Sequence, residues 1–71
     1  MTPILPVLSG TDVVAALAEA GFQRGPRRGS HVGMHKEGRT AVVPLQRQLA
    51  QGTLRSILRQ AGLSLEDFTL L

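Results

Sequence analysis

Residues 31–44 read HVGMHKEGRTAVVP. Two extended runs, His31 to Lys36 and Arg39 to Pro44, flank Glu37-Gly38, a spacer of the length used by two-residue β-hairpin loops. Such a loop pairs Lys36 with Arg39, His35 with Thr40, Met34 with Ala41, Gly33 with Val42 and Val32 with Val43. Opposed residues share a face. One face then carries Val32, Met34, Ala41 and Val43. The other carries His31, Gly33, His35 and Thr40, with Val42 as the exception. A one-residue slip would mix the two sets, so the register is well specified, and both histidines of the chain stand on the polar face.

The flanks fix the rest of the fold. Upstream, Phe22 to Arg27 reads as a weak strand; Gly25-Pro26 interrupts it and places it at a sheet edge, and Arg28-Gly29 turns the chain into the hairpin. Before it, Ser9 can cap a helix, with Asp12 as the acidic half of a capping box and Leu8 and Val13 at the staple positions. Val13, Val14, Leu17 and Ala18 fall on one helical face. Gly21 suits the position after the helix, with Phe22 folding back onto the apolar side. Downstream, a helix from about Gly52 to Ala61 presents Leu54, Ile57, Leu58 and Ala61 as an apolar stripe, with Arg55 and Arg59 on a polar flank. Gly62 ends it, and Ser64 can cap a further short turn through Phe68. The order is αβββα. Two helices, each with one apolar face, cover one side of a three-stranded antiparallel sheet and leave the other side wet, an α+β architecture.

The 71 residues suffice for a single domain, 1–71, with an apolar N-terminal extension over residues 1–7. With no cysteine, disulfides and thiolate metal sites are excluded, which fits a cytoplasmic location. No apolar run approaches the roughly 20 residues that span a membrane, and the opening MTPILPVLSG lacks the layout of a signal peptide. The net charge of +3 hides an asymmetry: all eight basic residues lie between Arg24 and Arg59, where Glu37 alone opposes them. Seven of the eight are arginines, the side chain best matched to bidentate phosphate contact. The segment points to a polyanion or an acidic protein partner.

Imidazole is the side chain whose ordinary pKa suits proton transfer near neutral pH. RNA strand cleavage needs such transfers and no metal: a base takes the 2′-OH proton and an acid protonates the leaving 5′-oxygen. Arginine or backbone N–H groups can stabilise the phosphorane charge. By itself His31 reads as an exposed polar residue rather than a catalytic one. Four residues of strand separate His31 from His35 by about 13 Å, too far to flank one phosphate on a straight strand and too far for a two-histidine metal site. His35 therefore reads as a peripheral RNA contact or as a simply solvated residue. Arg27, Arg28, Lys36 and Arg47 are further candidates for RNA binding, as are Arg55 and Arg59 on the second helix. Ser30 can bond a phosphate or merely the backbone. Two other functions share this pattern: a non-catalytic RNA-binding module reading shape and phosphate, and an interaction domain docking an acidic protein.

Several short stretches resemble a known family. Leu8-Ser9-Gly10, Ala20-Gly21-Phe22, Gly29-Ser30-His31, Val43-Pro44 and the helix GTLRSILRQAG from Gly52 to Gly62 look like the HicA (YcfA-like) toxins. The resemblance covers Leu8 to about Phe68. It implies a fold like the double-stranded-RNA-binding domain. It implies a toxin of a type II toxin–antitoxin system acting in the stress response as an mRNA interferase, a cofactor-free endoribonuclease with His31 as its catalytic histidine. It also implies a hetero-oligomer with a HicB-type antitoxin that covers the active surface. Relatives often carry a histidine shortly after the Val-Pro pair. Here Gln46 stands in that place; it can hydrogen-bond a phosphate oxygen but cannot shuttle a proton.

Overall fold

The computed structural model of the protein describes residues 7–69; the rest of the apolar extension, residues 1–6, lies outside them. The elements follow the order α1 (Gly10–Glu19), β1 (Gln23–Arg28), β2 (His31–Lys36), β3 (Arg39–Pro44), α2 (Gln51–Ala61) and α3 (Leu65–Thr69). The three strands form one antiparallel sheet in the order β1-β2-β3, and the α+β, αβββα arrangement read from the sequence is the one observed.

The central hairpin has the expected register, extended by His31 opposite Pro44. Val32, Met34, Ala41 and Val43 are completely buried, while His31, His35, Thr40 and Val42 are exposed. Both loop residues have positive φ, 49° at Glu37 and 81° at Gly38, the backbone of a primed hairpin turn. Glycine takes this conformation freely, whereas glutamate is strained there. Glu37→Asn should therefore stabilise the domain by about 0.5–1 kcal/mol, a rise of roughly 2–8 °C in Tm for a domain of this size. A thermal melt in which the variant unfolds at or below the wild-type temperature would contradict that account.

The first hairpin departs from expectation at its turn. Arg28 belongs to β1, paired with His31, and the loop is Gly29-Ser30 rather than Arg28-Gly29. The strand begins one residue later than Phe22, whose ring goes into the core. Gly25 and Pro26 together oppose Gly33, because pairing jumps from Arg24↔Met34 to Arg27↔Val32. This two-against-one count is a β-bulge. It absorbs the proline and lets the strand continue beyond it.

Both helices pack on the buried face of the sheet. In α1, the Ser9 hydroxyl accepts from the Asp12 N–H at 3.0 Å, and the Asp12 carboxylate accepts from the Ser9 N–H at 3.1 Å. This is the predicted capping box. Val13, Val14 and Leu17 are buried as expected, but Ala18 is exposed. The buried side is centred on Val13, Leu17 and Gly10, and Ala18 lies about 100° of helical rotation from Leu17. α1 ends with the Phe22 N–H bonded to the Leu17 carbonyl at 2.9 Å, and α2 ends with the Leu63 N–H bonded to the Leu58 carbonyl at 3.0 Å. These are the closing bonds of Schellman caps at Gly21 and Gly62. α2 starts one residue earlier than expected and buries the whole predicted stripe. Ser64 and Asp67 repeat the capping box at α3, which brings Phe68 into the core. Hydrogen bonds with the Ser64 N–H and then with its hydroxyl hold the Asp67 carboxyl below the usual carboxylate range. The stability from that contact is present above the unfolded-state pKa and lost as pH falls through the folded one. Leu49, in the loop before α2, is a further core residue. On the outer edge of β3, the Val42 N–H is taken by the Gln60 side chain at 3.1 Å, so that donor is not offered to another strand.

Candidate active site

The sheet's open face is organised by strand alternation. His31 begins β2, with Arg28 opposite it on β1 and Pro44 opposite it on β3. All three therefore share one face. His31 and Arg28 are exposed, and Pro44 is half-buried. The loop after β3 is tied to the same corner. The Leu45 N–H donates to the Ser30 carbonyl at 2.6 Å, the Gln46 carbonyl accepts from the Gly10 N–H at 2.8 Å, and the Leu49 N–H donates to the Leu8 carbonyl at 2.8 Å. Ser30, His31 and the Pro44–Gln46 segment are thus fixed against one another by backbone bonds from three separate parts of the chain. Gln46 and Arg47 are exposed just beyond them.

A shallow groove runs along the open face between the two histidines. Arg28, Pro26 and Val42 line it together with His31, Gly33 and His35, and Thr40 closes one end. Val42, 44% exposed, is the apolar patch of this surface. His35 is anchored there: its Nδ1 lies 3.0 Å from Thr40 Oγ1. Its ring leans over the bulge, so that a Cβ added to Gly25 or Gly33 would fall 2.8 Å or 3.2 Å from Nε2.

The basic residues do not gather on this face. By pairing, Lys36 and Arg39 point to the helix side, as does Arg24 opposite Met34 and Arg27 opposite Val32. Lys36 Nζ donates to the Ala20 carbonyl at 2.6 Å and sits 5.7 Å from the centre of the Phe22 ring. The Arg39 guanidinium lies against Gly62, close enough that a Cβ there would fall 2.6 Å from Cζ. These two cations sit at the C-terminal ends of α1 and α2, where the helix dipoles favour positive charge. Arg27 Nε donates to the Gly29 carbonyl at 2.7 Å and braces the β1–β2 turn. Arg55 and Arg59 are exposed on α2, in the other layer. Of the arginines of the strands, Arg28 shares the His31 face.

The sequence marked His31, Arg28 and His35, and the fold brings these to one surface, with Ser30 in the turn just before His31. It sends Lys36, Arg55 and Arg59 elsewhere. Thr40 and the Gly25–Gly33 pair were not marked. The period-2 pattern places Thr40 beside His35, but a hydroxyl-to-ring bond and a bulge opposite a glycine depend on side-chain and strand geometry. Among the described residues, no group of three or more His, Cys, Asp or Glu side chains is placed to hold a metal ion, and no helix is long and apolar enough to cross a membrane.

No curated protein matches the chain. The family model described as HicA toxin of bacterial toxin–antitoxin matches residues 10–63, most of the chain, from the first residue of α1 to just past the end of α2.

Proposed function

The chain belongs to the HicA toxin family, toxins of bacterial toxin–antitoxin systems, and on that premise we propose that it is an mRNA interferase: a metal-independent endoribonuclease that uses His31 for proton transfer and is silenced by a HicB-type antitoxin. The observation that carries the reading is the position of His31. It stands exposed on the open face, outside the core, opposite Arg28 and held at its corner by the Ser30–Leu45 backbone bond. An imidazole so placed can approach a phosphodiester, and the facing guanidinium can meet a phosphate oxygen. RNA carries its own nucleophile in the 2′-OH, so the protein has to supply proton transfers and charge stabilisation rather than an activated water. The test is cleavage of mRNA by purified protein in EDTA, compared with His31→Ala.

RNA contacts extend from this corner. Arg28 and Ser30 are next to His31, His35 stands further along the same groove, and Gln46 and Arg47 follow in the adjoining loop. Arg27, Lys36, Arg55 and Arg59 would reach RNA only where it wraps around the sheet edges toward the helix layer. The non-catalytic alternative, an RNA-binding module on the same fold, would bind through the same arginines without need of His31.

The antitoxin has an obvious target in this face. We expect an acidic HicB-type domain, in the cytoplasm with the toxin, to bury His31 and Arg28 on complex formation. Charge complementarity should make association fast and salt-sensitive. In a complex, protection of His31 and Arg28 can be read by histidine modification and by hydrogen exchange along β2. A complex in which His31 reacts as readily as in the free toxin would argue against silencing by occlusion.

A further inference from the structure

The groove contains a second imidazole that cleavage by one histidine leaves unused. Gly25 and Gly33 lie next to each other across β1 and β2 at the bulge, and neither brings a side chain. The His35 ring occupies the space they leave. Its Nε2 would be 2.8 Å from a Cβ on Gly25 and 3.2 Å from one on Gly33. Nε2 is therefore displaced from its own Cα, back over Gly33, which is the residue midway between His35 and His31. Two residues of strand span about 7 Å, so Nε2 lies about that far from the His31 position, rather than the about 13 Å between the two Cα positions. Both rings line one groove with Arg28.

Resting on the endoribonuclease reading above, we infer that His35 is a second catalytic residue, the general acid that protonates the leaving 5′-oxygen while His31 accepts the 2′-OH proton. In this step the O2′–P bond forms and the P–O5′ bond breaks. The 2′-OH proton passes to neutral His31. The Nε2 proton of the His35 imidazolium passes to O5′, leaving a 2′,3′-cyclic phosphate and a free 5′-OH end. Protons balance, and exchange with water restores both rings. In-line displacement sets the attacking and leaving oxygens on opposite sides of phosphorus. A His31 ring turned into the groove, from a backbone position about 7 Å along the strand from His35 Nε2, can take the attacking side while His35 takes the leaving side, each through a hydrogen bond of about 2.8 Å.

The surroundings of His35 suit the role. Both nitrogens of an imidazolium are donors. Thr40 Oγ1, 3.0 Å away, accepts from Nδ1 and leaves the Nε2 proton aimed into the groove. Thr40 is in this sense a positioning residue. The two glycines keep the floor of the groove open, and larger residues there would push the ring away from His31.

The experiment uses an RNA that the wild-type chain cuts, and the same RNA with sulfur replacing the bridging 5′-oxygen at that bond. A sulfur leaving group departs without protonation, so it dispenses with the acid but not with the base. The wild type should show a bell-shaped pH–rate profile, as a base and an acid acting in one step require. His35→Gln should lose about 10²-fold or more in kcat on the natural RNA, lose the alkaline limb of the profile, and regain a near wild-type rate on the sulfur-substituted RNA. His31→Ala should not be rescued by sulfur. Thr40→Val should lower kcat on the natural RNA with KM little changed, and sulfur should restore it. His35→Gln with wild-type kcat, or with a defect confined to KM, overturns the proposal and leaves His31 in place. A His35→Gln defect that sulfur does not relieve also overturns it. No cleavage by the wild type, or full cleavage by His31→Ala, overturns the endoribonuclease reading, and this assignment with it.

Discussion

His31→Ala protein should fold and bind RNA as the wild type does, yet lose on the order of 10²–10⁴-fold in RNA cleavage. Folding should survive because the side chain is exposed and contributes no core burial; the sheet's buried face is built from Val32, Met34, Ala41 and Val43. The backbone bond that fixes this corner, from the Leu45 N–H to the Ser30 carbonyl, involves no His31 side-chain atom. Binding should survive because Arg28 and the exposed arginines beyond the open face carry the electrostatic attraction. Cleavage should persist in EDTA for the wild type, and growth arrest on expression should disappear in the variant. Three measurements separate the possibilities: circular dichroism for the fold, affinity for an RNA with a 2′-deoxy sugar at the cut site, and the cleavage rate. Retained cleavage in pure His31→Ala protein would sink the catalytic assignment. Loss of folding would make His31 structural and contradict its position on the open face.

The largest effect on stability is expected from a single methyl group. Gly10→Ala should destabilise the domain by about 3 kcal/mol or more, at or beyond the upper end for overpacking. A Cβ at Gly10 would overlap the Pro44 carbonyl oxygen and lie 2.8 Å from Leu45 Cα. Both are backbone atoms, which cannot rotate away as a flexible side chain can. The Gly10 N–H also donates to the Gln46 carbonyl at 2.8 Å, so moving α1 outward would break that bond. A domain of this size has a total stability of roughly 4–10 kcal/mol, so the variant should unfold at much lower urea concentration or fail to accumulate. The His31 corner should be disturbed too, because Pro44 pairs with His31. Gly52→Ala is the control. It lies in the first turn of α2 with nothing near its Cβ position, and it should be neutral or stabilising by up to about 1 kcal/mol. Equal urea midpoints for Gly10→Ala and wild type would refute the close approach of α1 to the β3–α2 loop.

The same contrast separates what the chain's local pattern determined from what only the packed molecule decided. The hairpin register was readable because side chains alternate strictly with a period of two, so one assignment alone put Val32, Met34, Ala41 and Val43 together. The caps at Ser9 and Ser64 were readable because their partners, Asp12 and Asp67, lie three residues away. The α2 stripe was readable because its spacing is helical throughout. These signals are local, and the fold followed from them. The charge asymmetry, by contrast, pointed to a polyanion or an acidic partner without saying where the cations go, and the molecule spreads them over both layers. Lys36 and Arg39 go to the C-terminal ends of α1 and α2, residues far away in sequence whose carbonyls and dipoles draw positive charge. Ala18 fits the helical period but faces solvent, because the direction of α1's buried side is set by where Gly10 meets the β3–α2 loop. The spacing of the histidines was readable as a Cα distance. The lean of the His35 ring over Gly33 was not, since it depends on a bulge at Gly25-Pro26 and on Thr40 from the next strand. Periodicity and caps are properties of neighbours along the chain. Close approach of backbones, the pairing of cations with helix ends and the aim of a ring within a groove exist only once distant segments are in contact.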